Sequence, residues 1–283
     1  MKKILICAVL ALALNNLQAQ TIKTPAPSPT QVLKQDFALS FIEIAYSRPG
    51  MKARNPIFAE KSAKTVVPFG ELWRTGANRA TRVSFGEDVK VAGNAIKAGD
   101  YALYTIPGKM EWEIIFNKGV NNGGTNGYKK EDDVVRFKVK PMTIATPVET
   151  FTMQIANVNA NSCEIHIIWE KTAVAIPVMA DVDTKVMASI DNAINKDNKP
   201  YFAAAQYYYD NGKDMNQALT WADKAIESNP NAYWMYLLKA RIQAKMGDKT
   251  GAAATSAKSK ELATKEGNND YVRMNDELMS SLK

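Results

Sequence analysis

The segment ELWRTGANRATRVSFG, residues 71–86, gathers residue types that bind anions. Arg74 and Arg79 carry guanidinium groups, which match a carboxylate or a phosphate through two parallel hydrogen bonds. Thr75 adds a hydroxyl group and Asn78 adds an amide, and both can hydrogen-bond a polar ligand. Together with Arg82, and with Arg48 and Arg54 from an earlier segment, these four residues could form a binding site for a carboxylate, a phosphate or a sugar acid.

A structural interpretation of the same segment stays open. Trp73 can bury its rings and needs a hydrogen-bond partner only for its indole N–H. Gly76 reaches backbone angles that are closed to other residues, and Asn78 can cap its own turn, so the chain can bend sharply here. In this interpretation the segment is a corner, and its arginines pair with acids such as Glu71 or Glu87.

The stretch NKGVNNGGTNGYKK, residues 117–130, is rich in glycine and asparagine and is expected to form a mobile loop between strands. It lacks the Lys-Ser/Thr ending of a phosphate-binding P-loop. It could instead act as a lid or as a sugar-binding loop, with Tyr128 and Trp112 as aromatic stacking faces. Both aromatic residues are therefore candidate ligand-binding residues.

The sequence contains no recognisable catalytic set, so any catalytic residues are unknown from the sequence. His166 is the one histidine, and a general base also needs a nucleophile and an orienting group, which sequence does not reveal. One histidine and, after removal of a leader, one cysteine (Cys163) are too few ligands for zinc. A Gly-x-Ser-x-Gly motif is absent from the sequence. We therefore expect neither a metal site nor a cofactor.

Between residues 32 and 180 polar and apolar residues alternate, as they do in strands with one buried face. The segments ALSFIEIAY (38–46) and DVVRFKV (133–139) show the pattern clearly. Many such segments separated by turn signals predict an antiparallel β-sandwich domain. The pair Gly93-Asn94 is expected to form one of its turns, because both residue types tolerate positive φ.

The period changes at residues 181–199, where Val182, Val186 and Ile190 recur at helical spacing and predict a connecting helix. Residues 200–283 are expected to be all-helical. They include two related units, 200–231 and 232–263, of roughly the 34 residues that characterise the tetratricopeptide repeat.

The helical tail resembles this repeat through particular residues. The first unit has the expected aromatic and small positions, which are Tyr201, Ala205, Tyr208, Ala218, Ala225 and Pro230. The second unit departs at Ser259, where the repeat usually has alanine. The resemblance implies helical hairpins and a concave face that binds a protein partner. Tyr207, Tyr208 and Trp234 are candidate contact residues, although their helical spacing equally fits packing between helices.

The β-rich part resembles the domain-of-unknown-function family 2911, found in secreted bacterial proteins. The resemblance runs from Ser28 to Val178 and rests on IEIAYSRP (42–49), VPFGELWRTGANRAT (67–81), AGDYALYTIP (98–107) and WEIIFNK (112–118). It implies a β-sandwich-like fold and no particular activity. The chain departs from the family pattern at Arg79, where the resemblance implies an acidic residue, and this change makes the loop more basic.

The amino-terminal end predicts export. Residues 1–19 combine Lys2 and Lys3 with an apolar run and a small residue, Ala19, and are typical of a signal peptide. Residues 20–31, rich in proline and threonine, are expected to form an extended leader. Loss of the signal peptide lowers the formal net charge from +7 to +5. These charges are spread along the chain, so we expect no nucleic-acid partner, and no transmembrane span after cleavage.

We expect an exported, periplasmic or secreted protein that is not an enzyme. In this hypothesis the β-sandwich binds a small ligand or a component of the cell envelope, and the helical tail binds a protein partner. One alternative is an envelope hydrolase that acts on sugars with carboxylates from separate strands. A second alternative is a purely structural envelope protein.

Overall fold

A computed structural model describes residues 24–194 and 199–283. The predicted signal peptide, residues 1–19, lies outside the described residues, and so do the first four residues of the predicted leader. The chain divides into two compact units, the first ending at Val182 and the second running from Asp183 to Lys283.

The described strands all belong to the first unit. They are β1 (Thr30–Phe37), β2 (Ser40–Ser47), β3 (Phe58–Ala59), β4 (Val67–Pro68), β5 (Thr81–Phe85), β6 (Val89–Val91), β7 (Asn94–Ile96), β8 (Gly99–Ile106), β9 (Trp112–Asn117), β10 (Asp133–Val139), β11 (Met142–Ala156) and β12 (Ser162–Ala180). A single 3₁₀ turn, Lys130–Asp132, precedes β10.

Two antiparallel sheets enclose one core. The larger sheet has the strand order β1-β2-β5-β8-β9-β10 and the smaller one β11-β12-β6-β7, while β3 and β4 form a short parallel pair. Alternation decides which residues face the core: Ile42 and Ile44 are fully buried, whereas Glu43 between them points to the other face. The antiparallel β-sandwich that the sequence predicts is therefore confirmed.

Two local predictions differ from the structure. The residues Thr30 and Gln31 are not part of an extended leader, because they pair with Ser47 and Tyr46 as the start of β1. The predicted turn at Gly93-Asn94 lies one residue earlier. Ala92 (φ +46°) and Gly93 (φ +82°) connect β6 to β7, and Asn94 is already paired in β7. Two consecutive positive φ angles match the right-handed twist of a hairpin.

The centre of the core is a cluster of aromatic rings around Trp73. Its ring lies nearly parallel to that of Trp169, with centroids 6.0 Å apart. It meets Phe151 edge-on at 5.2 Å and Phe58 at 5.7 Å. Trp112 completes the cluster at 6.3 Å. Because Trp112 belongs to the larger sheet and Trp169 and Phe151 to the smaller one, Trp73 joins the two sheets.

The second unit is all-helical in its described part, as predicted. Its helices are α1 (Val182–Ile194), α2 (Tyr201–Asp210), α3 (Met215–Ser228), α4 (Tyr233–Lys245), α5 (Lys249–Lys265) and α6 (Asn269–Ser281). Each helix from α2 to α5 packs on the next one along the chain. Glycines with positive φ end three of them, namely Gly212, Gly247 and Gly267. None of the described helices combines the length and apolar character that a membrane crossing requires.

A buried polar network explains why serine stands at position 259. The Ser259 hydroxyl donates to the Tyr233 carbonyl at 2.8 Å and accepts a hydrogen bond from Asn275 Nδ2 at 2.9 Å. Ser256 donates to Asn275 Oδ1 at 2.9 Å. All three polar side chains are fully buried. An alanine at position 259 would leave the Asn275 amide with fewer partners, so the serine fixes α6 against α5.

Candidate functional site

The outer face of the larger sheet carries two neighbouring rows of side chains in register, and the first of them is polar. Glu43 on β2 lies opposite Ser84 on β5, which in turn lies opposite Asp100 on β8. In the neighbouring row, Arg82 on β5 lies between two alanines, Ala45 and Ala102 on the flanking strands. The small side chain of Ala45 leaves open space beside Arg82, whereas Ala102 is buried.

This open space is the floor of a groove with a volume of about 600 Å³, which is within the usual range for small-molecule sites. The groove is half-enclosed by the corner before β5 on one side and by the loop after β9 on the other. Its lining residues are Thr30, Ala45, Tyr46, Ser47, Asn78, Arg79, Ala80, Arg82, Asp100, Val120 and Asn121.

The charged groups of the groove differ in how they are paired. Arg82 Nη2 lies 3.0 Å from Glu43 Oε1 and forms a salt bridge. The Asp100 carboxylate accepts a hydrogen bond of 2.5 Å from the Ser84 hydroxyl. Arg79 is exposed, and among residues 24–194 and 199–283 its guanidinium has no hydrogen-bond or ion-pair partner. Arg79 is therefore a cation that is available to a ligand.

The corner before β5 fixes the position of Arg79. Trp73 pairs with Thr105 at the end of β8, with backbone hydrogen bonds of 2.8 and 3.0 Å. Its indole Nε1–H donates to the Gly76 carbonyl at 3.0 Å, and this bond closes the turn. Gly76 has φ +141°, and a Cβ there would lie 3.0 Å from the Ser47 carbonyl oxygen. The structural interpretation of the segment, a corner with a buried tryptophan, therefore describes its geometry.

Asn78 is the residue that joins this corner to the floor of the groove. It has φ +61°, a left-handed conformation that asparagine tolerates better than most residues. Its Nδ2 donates to Ser47 Oγ at 3.1 Å and to the Ser28 carbonyl at 3.3 Å. Asn78 therefore lines the groove as predicted, while its NH₂ group also holds the neighbouring chain segments in place.

Thr75 does not belong to the groove surface. It is fully buried, and its Oγ1 donates to Thr105 Oγ1 at 3.2 Å, while its own carbonyl accepts from Thr81 Oγ1 at 2.5 Å. Its φ of +53° is unusual for a β-branched residue. The prediction that Thr75 binds a ligand directly is not supported by this placement, because its hydroxyl is used inside the corner.

Arg74 holds the loop after β9 instead of facing the groove. Its Nη1 donates to the Asn78 carbonyl at 3.0 Å. The same guanidinium lies against Gly124, where a Cβ would come within 2.7 Å of Nη1. Gly124 in turn offers its carbonyl to the Tyr104 hydroxyl at 2.9 Å. Arg74 therefore contacts backbone on both sides of the groove and, although it is a predicted ligand-binding residue, it does not line the groove.

The loop that the sequence predicts to be mobile is anchored at several points. The Tyr104 hydroxyl accepts from Asn122 Nδ2 at 3.0 Å. Nearer to β10, Asn117 Nδ2 donates to the Lys129 carbonyl at 2.9 Å and to Asp133 Oδ1 at 2.8 Å. These bonds leave the tip around Asn121, which lines the groove, as the part of the loop closest to a ligand.

Tyr128 packs on the sheet and is part of an ion network. Its ring meets that of Tyr104 at 5.1 Å, and its hydroxyl donates to Asp133 Oδ2 at 2.9 Å. Arg136 donates to the same hydroxyl at 2.7 Å and pairs with Asp133 and Glu113. Burial, followed by the hydrogen bond to Asp133, raises the Tyr128 pKa to about 12. Tyr128 therefore supports the loop and does not present an open face for stacking.

The prediction that Trp112 provides a stacking face is also wrong in this geometry. Trp112 is 1% exposed, and its ring packs against Phe58 with centroids 4.9 Å apart. A residue on the core side of β9 cannot reach the groove on the opposite side of the same sheet.

The candidate residues of the helical tail lie mostly in packing between helices. Tyr208 meets Trp221 edge-on at 4.8 Å within the core of the helical unit. The Tyr207 hydroxyl donates to Asp183 Oδ1 at 3.0 Å. Trp234 is half-buried and packs on Tyr233 at 5.0 Å, outside that core. Of the three, Trp234 is the best placed to meet a partner.

His166 and Cys163 lie outside the groove, and the contacts of each side chain are as follows. His166 Nε2 lies 2.7 Å from Glu164 Oε2, and the hydrogen bond lowers the pKa of Glu164. Burial, followed by the charge of Glu164, raises the pKa of the Cys163 thiol to about 11. Within the described parts of the chain, no group of three His, Cys, Asp or Glu residues could hold a metal ion.

Sequence reasoning missed part of the groove. It did not single out Ser47, Asp100 or Asn121, and it gave Ala45 no role. The alternation of β2, β5 and β8 indicates that Ala45 and Asp100 face away from the core. The strand register, which sequence alone does not provide, is what places them beside Arg82.

The fold and the groove together define a class of protein: a two-sheet β-sandwich with a polar groove on the outer face of one sheet. Residues 28–178 match a family described as Protein of unknown function, DUF2911, and because this span is more than half of the 283 residues the chain belongs to that family. The resemblance expected from the sequence is therefore confirmed. No curated protein and no solved structure matches the chain.

Gly124 and its neighbour provide a test of how the loop is held. Gly124→Ala places a Cβ against Arg74 Nη1 at a φ of +126°, so we expect a loss of about 1–3 kcal/mol in the free energy of unfolding. Gly123→Ala is the matched control, since nothing lies within 4 Å of its Cβ, and should change stability by less than about 0.5 kcal/mol. Chemical denaturation measures both. Equal effects of the two substitutions would show that the backbone at Gly124 is not held in this conformation against Arg74.

Proposed function

We propose that this chain is an exported binding protein whose groove takes a small anionic ligand. The observation that carries the proposal is the exposed guanidinium of Arg79, which lines a half-enclosed groove and has no partner in the described chain. A guanidinium can bind a carboxylate or phosphate with two hydrogen bonds, and partial enclosure strengthens the attraction by limiting the screening by water. The Asn121 amide also lines the groove and can donate a further hydrogen bond to the anion, whereas the Nδ2 of Asn78 is already used by Ser47 and Ser28.

The lining of the groove favours binding over hydrolysis. Acid–base catalysis on a sugar needs two carboxylates on either side of the bond to be cleaved. Asp100 is the one carboxylate in the lining, and Glu43, across Ser84, is paired with Arg82. A hydrolase that uses Asp100 and Glu43 is the second candidate, because these two carboxylates lie two strands apart, roughly 10 Å at the usual strand spacing. Turnover of acidic oligosaccharides that is lost in Glu43→Gln would favour it.

We also propose that the helical tail consists of tetratricopeptide-like hairpins that bind a protein. The support is the pairing of α2 with α3 and of α4 with α5, each across a glycine turn. Ala205, Ala218 and Ala252 at the helix contacts are completely buried. Small residues at fixed positions let helices approach closely, as such hairpins require.

The half-buried Trp234 allows a test of the tail. We expect Trp234→Ala to remove a cross-linked protein partner from intact cells without unfolding the chain, since this ring lies outside the helical core. Met246→Ala is the matched control, because Met246 is an apolar residue of the same unit and is 40% exposed. The cross-linked products would be identified by mass spectrometry. The same partners in parent and Trp234→Ala would contradict a role for this residue.

Export is proposed from residues 1–19. We expect the protein isolated from its producing cells to begin at Gln20, because cleavage after Ala19 follows the usual preference for small residues at this site. N-terminal sequencing of that protein measures this directly. A chain that still begins at Met1 would overturn the proposal.

The most direct test of ligand binding is Arg79→Gln. Removal of the guanidinium should weaken the binding of an acidic ligand about tenfold or more, since hydrogen bonds to charged groups contribute about 1.5–3 kcal/mol. The measurement is isothermal titration calorimetry of the full chain with a panel of carboxylates and phosphates, found first by a thermal-shift screen of the parent.

Arg273→Gln is the charge-matched control, because it removes an exposed arginine from the helical unit and leaves the groove intact. Binding that is equally strong in Arg79→Gln and Arg273→Gln would show that the ligand does not use the groove. Binding that is weaker in both would indicate a general effect of net charge.

A further inference from the structure

The two ends of the groove carry opposite charges. Arg79 lies in the corner before β5, whereas Asp100 lies at the start of β8, opposite Ser84 in the register. Five residues separate positions 79 and 84, which corresponds to up to about 17 Å of extended chain. A ligand that meets both charged groups is therefore elongated and presents different chemistry at its two ends.

Asp100 provides acceptors that a compact anion cannot use. Its carboxylate is exposed and accepts one hydrogen bond, from the Ser84 hydroxyl, among the contacts of the described residues. An ionised carboxylate has about four lone-pair sites, so it can accept further bonds from hydroxyl or amine groups of a ligand. Because it repels a second anion, it disfavours phosphate or a polycarboxylate at this end of the groove.

Counted together with Glu43, the partner of Arg82, the charges that line the groove cancel. Arg82 is neutralised by Glu43, and the remaining Arg79 and Asp100 have opposite signs. Such a groove favours a ligand with one negative charge and several uncharged polar groups over a multiply charged one. It also selects by position, because the negative charge must lie near Arg79.

The floor of the groove excludes recognition by aromatic stacking. Ala45 and Ala80 form the floor, and the ring of Tyr46, which also borders it, is 2% exposed. Tyr128 and Trp112 are used in packing, as described above. Recognition in the groove therefore depends on hydrogen bonds and charge.

From these observations we infer that the groove takes an acidic sugar of about two rings, with its carboxylate on Arg79 and its hydroxyl groups on Asp100. The inference rests on the proposed function and adds to it the class of ligand and a second anchoring residue. Asn121 and Asn78 lie between the loop and the corner and provide amides for the remaining hydroxyl groups.

The test is calorimetric titration of the full chain with four probes: glucuronosyl-galactose, which is a disaccharide with one carboxylate, galacturonate, the neutral disaccharide lactose, and inorganic phosphate. The parent should bind glucuronosyl-galactose at least tenfold more tightly than each of the other three. Arg79→Gln should reduce the affinity for glucuronosyl-galactose to that for lactose. Asp100→Asn should weaken the binding of glucuronosyl-galactose and of lactose alike, about tenfold, and should leave phosphate unchanged or bound more tightly.

Asp100→Asn keeps an acceptor for the Ser84 hydroxyl, so its fold should be retained, and circular dichroism would check this. Asp270→Asn is the charge-matched control, since Asp270 is exposed on α6. Phosphate that binds as tightly as glucuronosyl-galactose, with no effect of Asp100→Asn, would overturn this inference and leave the proposed function intact. Absence of binding for every acidic probe, or binding insensitive to Arg79→Gln, would overturn both.

Discussion

The packing of the Trp73 ring between the two sheets is the interaction on which the rest of the β unit depends. The ring contacts aromatic residues from both sheets, and its indole N–H donates to the Gly76 carbonyl three residues later. One side chain thus fills the core and closes the corner of the chain beside it. Truncation of a large buried aromatic residue typically costs about 3–5 kcal/mol, so this corner is fixed by the stability of the core itself.

The fixed corner also fixes the positions of the residues that form the walls of the groove. Because the turn is closed by Trp73, Asn78 can reach Ser47 on β2, and Arg74 can reach the loop after β9. Both walls of the groove, the corner before β5 and the loop after β9, are therefore positioned by the turn that Trp73 closes. Arg79 is left exposed on this rigid support, where it keeps its full hydrogen-bonding capacity for a ligand. If the groove binds a ligand as proposed, a site held in this way loses little conformational entropy.

The sequence predicts the fold well because each residue's side of the sheet is encoded locally. Alternation in β2 and β10 identifies strands without knowledge of their neighbours, and the change to helical spacing after Val182 identifies the second unit. Strand β1 was the exception. Its alternating residues, such as Val32 and Lys34, are largely exposed or half-buried at an edge, so the pattern lacks a clear buried side.

The site was only partly predictable, since ligand-binding capacity depends on which groups are already paired. Of the predicted ligand-binding residues, Asn78 and Arg79 line the groove, whereas Thr75 and Arg74 use their polar groups within the protein. The residue types in WRTGANR do not show which polar groups are free for a ligand and which are bonded within the protein. Asp100 was missed for a related reason.

The sequence neighbours of Asp100, which are Gly99 and Tyr101, indicate a turn and a strand. The position of Asp100 relative to Arg82 arises only from the strand register.

Hydrogen exchange of the indole N–H groups, followed by nuclear magnetic resonance on the full chain, tests the central role of Trp73 most directly. Trp73 is 8% exposed and donates to Gly76, whereas Trp234 is half-buried in the helical unit. If Trp73 closes the corner, its indole proton exchanges only when the β-sandwich unfolds, and therefore far more slowly than that of Trp234. Exchange of the Trp73 proton as fast as that of Trp234 would contradict the account.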